Sequence, residues 1–107
     1  MCGRYKLTTS VDELEHYFEA IVSHAGTIEP LVNVTPGMLM PVVAIGRDKI
    51  PVITTFRWGL VPSWSKDPKV GYKMINARSE TITEKPSFAQ PFQRRRCIIP
   101  SNGFYEW

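Results

Sequence analysis

Pro41-Val42-Val43-Ala44-Ile45, then Gly46-Arg47-Asp48-Lys49, then Ile50-Pro51-Val52-Ile53-Thr54-Thr55-Phe56: two runs rich in β-branched residues flank four turn formers. Branched side chains pack well on a pleated surface, and a Gly- and Asp-bearing connection of this length reverses the chain, so the stretch predicts a β-hairpin. Upstream, Pro30, Pro36 and Gly37 mark a loop, and before it Ser10-Val11-Asp12-Glu13 fits a capping box. Val11, Leu14, Phe18, Ile21 and Val22 follow at helical spacing, which predicts one amphipathic helix from about Val11 to His24, ending before Gly26. Downstream, short strands are expected over Lys73 to Ala77, Arg96 to Ile99 and Gly103 to Trp107, with a helical turn near Ser87 to Phe92 between prolines. The pattern gives a β-rich α+β domain with no repeats, low-complexity tracts or linker.

The composition is that of an ordinary globular chain: 107 residues, 43% hydrophobic and 21% charged, enough for one domain. No apolar run is long enough to cross a membrane. Acidic Asp12, Glu13, Glu15 and Glu19 occupy the region where a targeting peptide would be apolar or basic, so the cytosol is the default compartment. There, Cys2 and Cys97 are expected to be free thiols, and without CxxC or Cys/His spacing they indicate neither a metal nor a cofactor. His16 and His24 have no partner ligand at metal spacing and read as solvated or structural. A net charge of +3 and a pI near 9.0 favour polyanions only weakly. Phe104-Tyr105-Glu106-Trp107 reads as a strand that nothing closes. The chain is therefore expected to be the N-terminal half of a single larger domain, apparently truncated. Its unpaired edge would bind the missing half or another copy of itself.

Several residues sit where chemistry can use them. Cys2 follows the initiator methionine and is small enough for Met1 to be removed, leaving a thiol and a free α-amine on adjacent carbons. Such a 1,2-aminothiol condenses with an aldehyde through its amine and closes a thiazolidine ring through its sulfur. In model peptides both groups titrate near neutrality, at about 7.7–8.0 and 8.5. The plainer reading of a position-2 cysteine is a small buried thiol. Asn76-Ala77-Arg78 offers an amide and a guanidinium two residues apart, on one face if the segment is extended. Glu106, between Tyr105 and Trp107, is a carboxylate in surroundings suited to proton transfer. Trp58 and Trp64 share a loop broken by Gly59 and Pro62, and serve either as core anchors or as platforms for a stacked base. Arg94-Arg95-Arg96 is a solvated face or, with Arg4, Arg57 and Arg78, part of a phosphate-tracking groove.

Taken together, and in order, six stretches resemble the SOS-response-associated peptidase (SRAP) family along the whole chain. They are Met1-Cys2-Gly3-Arg4, Asn33-Val34-Thr35-Pro36, Arg57 through Trp64, Asn76 through Thr81, Glu84 through Phe88, and Arg95 through Trp107. The resemblance implies an α+β fold with a barrel-like mixed or antiparallel sheet, flanking helices and a positively charged cleft. It implies a sensor of abasic sites in single-stranded DNA that forms a covalent thiazolidine crosslink through Cys2 after loss of Met1. On this resemblance Asn76 holds the adduct, Glu106 assists ring opening and proton transfer, Arg4 and Arg78 grip flanking phosphates, and Pro36 and Trp64 wedge or stack against bases. The family's domain is about twice this length and its catalytic histidine lies in the second half; position 65 is Ser where some members carry a second tryptophan. Three function classes follow, in decreasing order of support: covalent abasic-site capture, a thiol (auto)peptidase with Cys2 as N-terminal nucleophile, and a non-enzymatic single-strand-binding module.

Overall fold

A computed structural model describes residues 2–23 and 29–106. The expected hairpin forms its centre. Strand β4 (Leu39–Ile45) pairs antiparallel with β5 (Pro51–Arg57), with Val43 opposite Ile53. The turn closes through Gly46 N–H to Ile50 C=O at 2.9 Å, and Lys49 takes a left-handed φ of 59°. Two three-stranded sheets result. The first orders β3 (Leu31–Val34), β1 (Tyr5–Leu7) and β6 (Gly103–Phe104), all antiparallel; the second orders β2 (Ile21–Val22), β5 and β4, with β2 parallel to β5. The chain is α+β as expected, but among the described residues the sheets remain separate and close no barrel.

The core lies between these sheets and helix α1 (Val11–Phe18). Tyr5, Leu7, Leu14, Ala20, Val34, Met40, Val43 and Ile53 are buried together, with Phe18, Val22, Leu31, Met38 and Trp58 packed against them. Met40 through Val43 are buried at four successive positions, so the middle of β4 is covered on both faces.

The helix is shorter than its hydrophobic period predicts. Ser10 caps it as expected, its hydroxyl accepting from Glu13 N–H at 3.2 Å. Glu19, in the left-handed region at φ 50°, then ends it: Ala20 N–H reaches Glu15 C=O at 3.1 Å and Glu19 N–H reaches His16 C=O at 3.4 Å, a Schellman closure. Ile21 and Val22, which continue the helical spacing, are instead spent on pairing with Val52 and Ile53. His24, Gly26 and Trp107 lie outside the described residues.

Three further expectations change. Lys73 to Ala77 is not a strand: Asp67 caps a 3-10 turn over Pro68–Lys73 by accepting from Lys69 N–H at 3.0 Å, and irregular chain follows. Arg96 to Ile99 contributes one bridge, Val43 to Ile98, rather than a strand. The turn expected near Ser87 to Phe92 is a full helix, α2 (Pro86–Arg94), because Pro86 suits its first turn.

Candidate nucleic-acid site around Cys2

The N-terminal segment enters β1 on the open end of the first sheet, and three long-range hydrogen bonds fix what surrounds it. Asn76 Nδ2 donates to the Cys2 carbonyl at 3.3 Å. Arg4 donates from its guanidinium to Asn33 Oδ1 on β3 at 3.2 Å. Tyr105 N–H donates to the Arg4 carbonyl at 3.0 Å, continuing the β1–β6 pairing of Tyr5 with Phe104.

Cys2 is half-buried, and its thiol donates to the Arg4 carbonyl at 3.6 Å. Burial pushes the Tyr5 phenol up to about 12, with the Cys2 charge a smaller second cause. Asn76, Arg78, Arg4 and Glu106 are all exposed. The segment carrying Asn76 and Arg78 is anchored by Leu60 N–H to the Met74 carbonyl at 3.0 Å. The Cys2 end of the molecule thus combines a half-exposed thiol with a backbone fixed by the Asn76 amide.

The two tryptophans divide between the two roles open to them. Trp58 packs on the core with its ring 5.4 Å from that of Tyr5, whereas Trp64 is 63% exposed. Pro36 is half-buried in the turn after β3, next to Gly37. That turn is tightly held: Gly37 N–H bonds Trp58 C=O at 2.9 Å, and Arg57 donates to Gly37 C=O at 2.7 Å, so Arg57 serves the scaffold. Gly37 adopts φ 91°, and a Cβ there would lie 2.5 Å from the Tyr72 ring.

Cys97 is also a free thiol. Although exposed as a residue, it lines a hollow with Phe18, Val43 and Ile98, and burial there raises its thiol above the ordinary value. The thiolate is the nucleophile, so Cys97 is the poorer candidate. A cavity of about 810 Å³ runs between α1 and residues 98–101, and Cys2, Asn76 and Glu106 are not among its lining residues. Its lining holds no thiol, whereas Cys2 carries one on a half-exposed segment.

Two residues that the sequence did not single out organise this end of the molecule. Asn33 holds Arg4, as above. Asn102 Oδ1 accepts from Thr8 N–H at 2.7 Å and Thr9 N–H at 3.2 Å, pinning the β6 segment to the β1–α1 connection. Asn33 lies within β3 and Asn102 just before β6, both ordinary places for an asparagine, and neither contact is visible at separations of 29 and 94 residues. Among the described residues, no group of three or more His, Cys, Asp or Glu is placed to hold a metal ion, and no helix is long and apolar enough to cross a membrane.

Residues 1–107 match the family model described as SOS response associated peptidase (SRAP). The abasic site processing protein YoaM of Bacillus subtilis is 44% identical over 109 residues, covering all of this chain and 47% of that protein. The abasic site processing protein HMCES of Mus musculus is 52% identical over 60 residues, 52% of this chain and 17% of that protein. A crystal structure of a protein from Bacteroides thetaiotaomicron superposes with a TM-score of 0.83 at 24% identity, over 99% of this chain and 48% of the other, which supports the fold. The chain spans about half the length of the curated Bacillus relatives it matches.

Proposed function

The chain belongs to the SOS response associated peptidase family, and from that premise we propose that it recognises abasic sites in single-stranded DNA and captures them covalently through Cys2. The observation that carries this reading is the Asn76 hydrogen bond to the Cys2 carbonyl, which ties a half-exposed N-terminal cysteine to an amide 74 residues away. Such a tether steadies any chain terminus, but not every cysteine depends on it for chemistry. A nucleophile that must meet an aldehyde in one orientation does, because holding it still removes entropy that the reaction would otherwise lose.

Removal of Met1 frees the α-amine. The amine adds to C1 of the ring-opened sugar, and loss of one water leaves an imine. The Cys2 sulfur then adds to the imine carbon while the nitrogen takes a proton, closing a five-membered thiazolidine; the net change is one water lost. Glu106 suits the proton transfers that ring opening and dehydration require. Arg4, oriented by Asn33, and Arg78 suit flanking phosphates, and Pro36 and exposed Trp64 suit adjacent bases. The peptidase reading uses the same thiol on an amide carbonyl and needs neither DNA nor an aldehyde.

A denaturing gel separates the readings. An oligonucleotide with one abasic site should yield a shifted band that withstands heat, and capping its aldehyde with methoxyamine beforehand should abolish it. Cys2→Ser should leave only an imine, trapped by borohydride and otherwise lost on heating. A heat-stable, unreduced adduct formed by Cys2→Ser at the parental rate would overturn the mechanism.

A further inference from the structure

Tyr105 immediately precedes Glu106 and is held at both its main chain and its side chain. Its N–H donates to the Arg4 carbonyl at 3.0 Å, and its phenol donates to the Val32 carbonyl at 2.7 Å. The sheet order is β3, β1, β6; Arg4 leads into β1 and Val32 belongs to β3, so the Tyr105 side chain spans β1 to reach the far strand. The Arg4 carbonyl also accepts from the Cys2 thiol at 3.6 Å, so one carbonyl joins Tyr105 to Cys2. The other end of β6 is pinned separately: Ser101 Oγ accepts from Gly103 N–H at 3.1 Å, and Asn102 N–H donates to the Lys6 carbonyl at 2.9 Å. Tyr105 is 41% exposed, so water could serve its hydroxyl, and a phenylalanine there would keep both the ring and the main-chain bond. The phenol bond is thus a restraint that the pairing of β6 with β1 does not require.

We propose that Tyr105 is a positioning residue for the capture reaction: its bond to Val32 fixes the main chain from which Glu106 departs, relative to the segment that carries Cys2. The proposal rests on the capture reading above and on the role given there to Glu106. A general acid–base has to come within about 2.6–3.2 Å of the proton it moves. Glu106 follows Tyr105 by one peptide, a Cα step of about 3.8 Å, so any turn of the Tyr105 main chain passes directly to it. Bonded through its N–H alone, residue 105 could still pivot about that bond. A second anchor on another strand removes the pivot, and with it the entropy that the reaction would otherwise lose.

The test is single-turnover crosslinking to an abasic strand by the parent, Tyr105→Phe, Glu106→Gln and the double variant. Tm is measured alongside, as is affinity for a strand whose lesion is a tetrahydrofuran analogue, which lacks an aldehyde and reports binding without chemistry. Tyr105→Phe should slow crosslinking about 2- to 10-fold, the range that one neutral hydrogen bond supplies, and leave affinity within about twofold. In the Glu106→Gln background the same change should slow it no further, because the proton-carrying group it positions is gone. Ser101→Ala, which loosens the other end of β6, should lower Tm without this loss of rate. The proposal is overturned by a parental rate or loss of folding in Tyr105→Phe, by an equal slowing in the Glu106→Gln background, or by an equal slowing in Ser101→Ala. Crosslinking by the parent would in each case leave the capture reading standing, whereas a parent that forms no crosslink overturns both.

Discussion

Replacing Asn76 with Ala removes one neutral hydrogen bond, from Nδ2 to the Cys2 carbonyl at 3.3 Å. The bond is long and both residues reach solvent, so water replaces the lost partner and no buried group is orphaned. Its worth therefore sits low in the usual range of about 0.5–1.5 kcal/mol for a net protein hydrogen bond. Global stability should fall by less than about 1 kcal/mol, a shift in Tm of at most about 4–8 °C for a chain of this size. The larger effect belongs to the reaction. If the bond holds Cys2 in the attacking geometry, its loss slows crosslinking by about 2- to 5-fold, since about 1.4 kcal/mol corresponds to tenfold. The assay is single-turnover crosslinking at saturating abasic DNA, which removes affinity from the comparison. Asn76→Asp should slow it further, because a carboxylate cannot donate to the carbonyl and repels phosphates. Parental rates in both variants would refute the tether.

Glu106→Gln keeps shape and hydrogen bonding but loses the ionisable proton, so crosslinking should slow by about 10²–10⁴-fold with the same end product; an unchanged single-turnover rate removes Glu106 from the mechanism. Gly59→Ala should unfold the tryptophan loop: φ is 123° and the new Cβ would sit 2.4 Å from the Gly71 carbonyl oxygen. The backbone strain alone is about 1–3 kcal/mol, and a parental Tm would contradict it. Tyr5, held neutral by burial up to about 12, stays protonated in the folded state after the unfolded phenol ionises near pH 10. Its contribution is thus intact below pH 10 and declines as pH rises from 10 to 12, by on the order of 2–3 kcal/mol. Denaturant midpoints across that window should show the decline, and Tyr5→Phe should flatten it.

Elements governed by local chemistry were legible in the sequence. The hairpin was, because two β-branched runs flank a turn, and so was the start of α1, because Ser10 and Glu13 form its cap. The end of α1 was not, since a glutamate in the left-handed region does the work usually given to glycine and the helical period runs on into β2. The segment 73–77 looked extended from its apolar residues, yet the Asp67–Pro68 pair upstream nucleates a 3-10 turn that uses up Lys73. The residue pattern alone did not show the partners of Cys2 and Arg4, since Asn76 and Asn33 reach them across 74 and 29 residues; only the family resemblance associated Asn76 with Cys2, and nothing in the sequence associated Asn33 with Arg4. Trp58 and Trp64 look alike in the chain; packing on Tyr5 assigns one to the core and leaves the other in solvent.

Covalent capture by the Cys2 aminothiol is tested most directly by the intact mass of the crosslinked species combined with a count of its alkylatable thiols. The account predicts a denatured, unreduced species weighing the protein without Met1 plus the oligonucleotide less one water. It should take up one alkyl group, at Cys97, where the free protein takes up two. An adduct that still carries Met1, or one that accepts two alkyl groups, would contradict it.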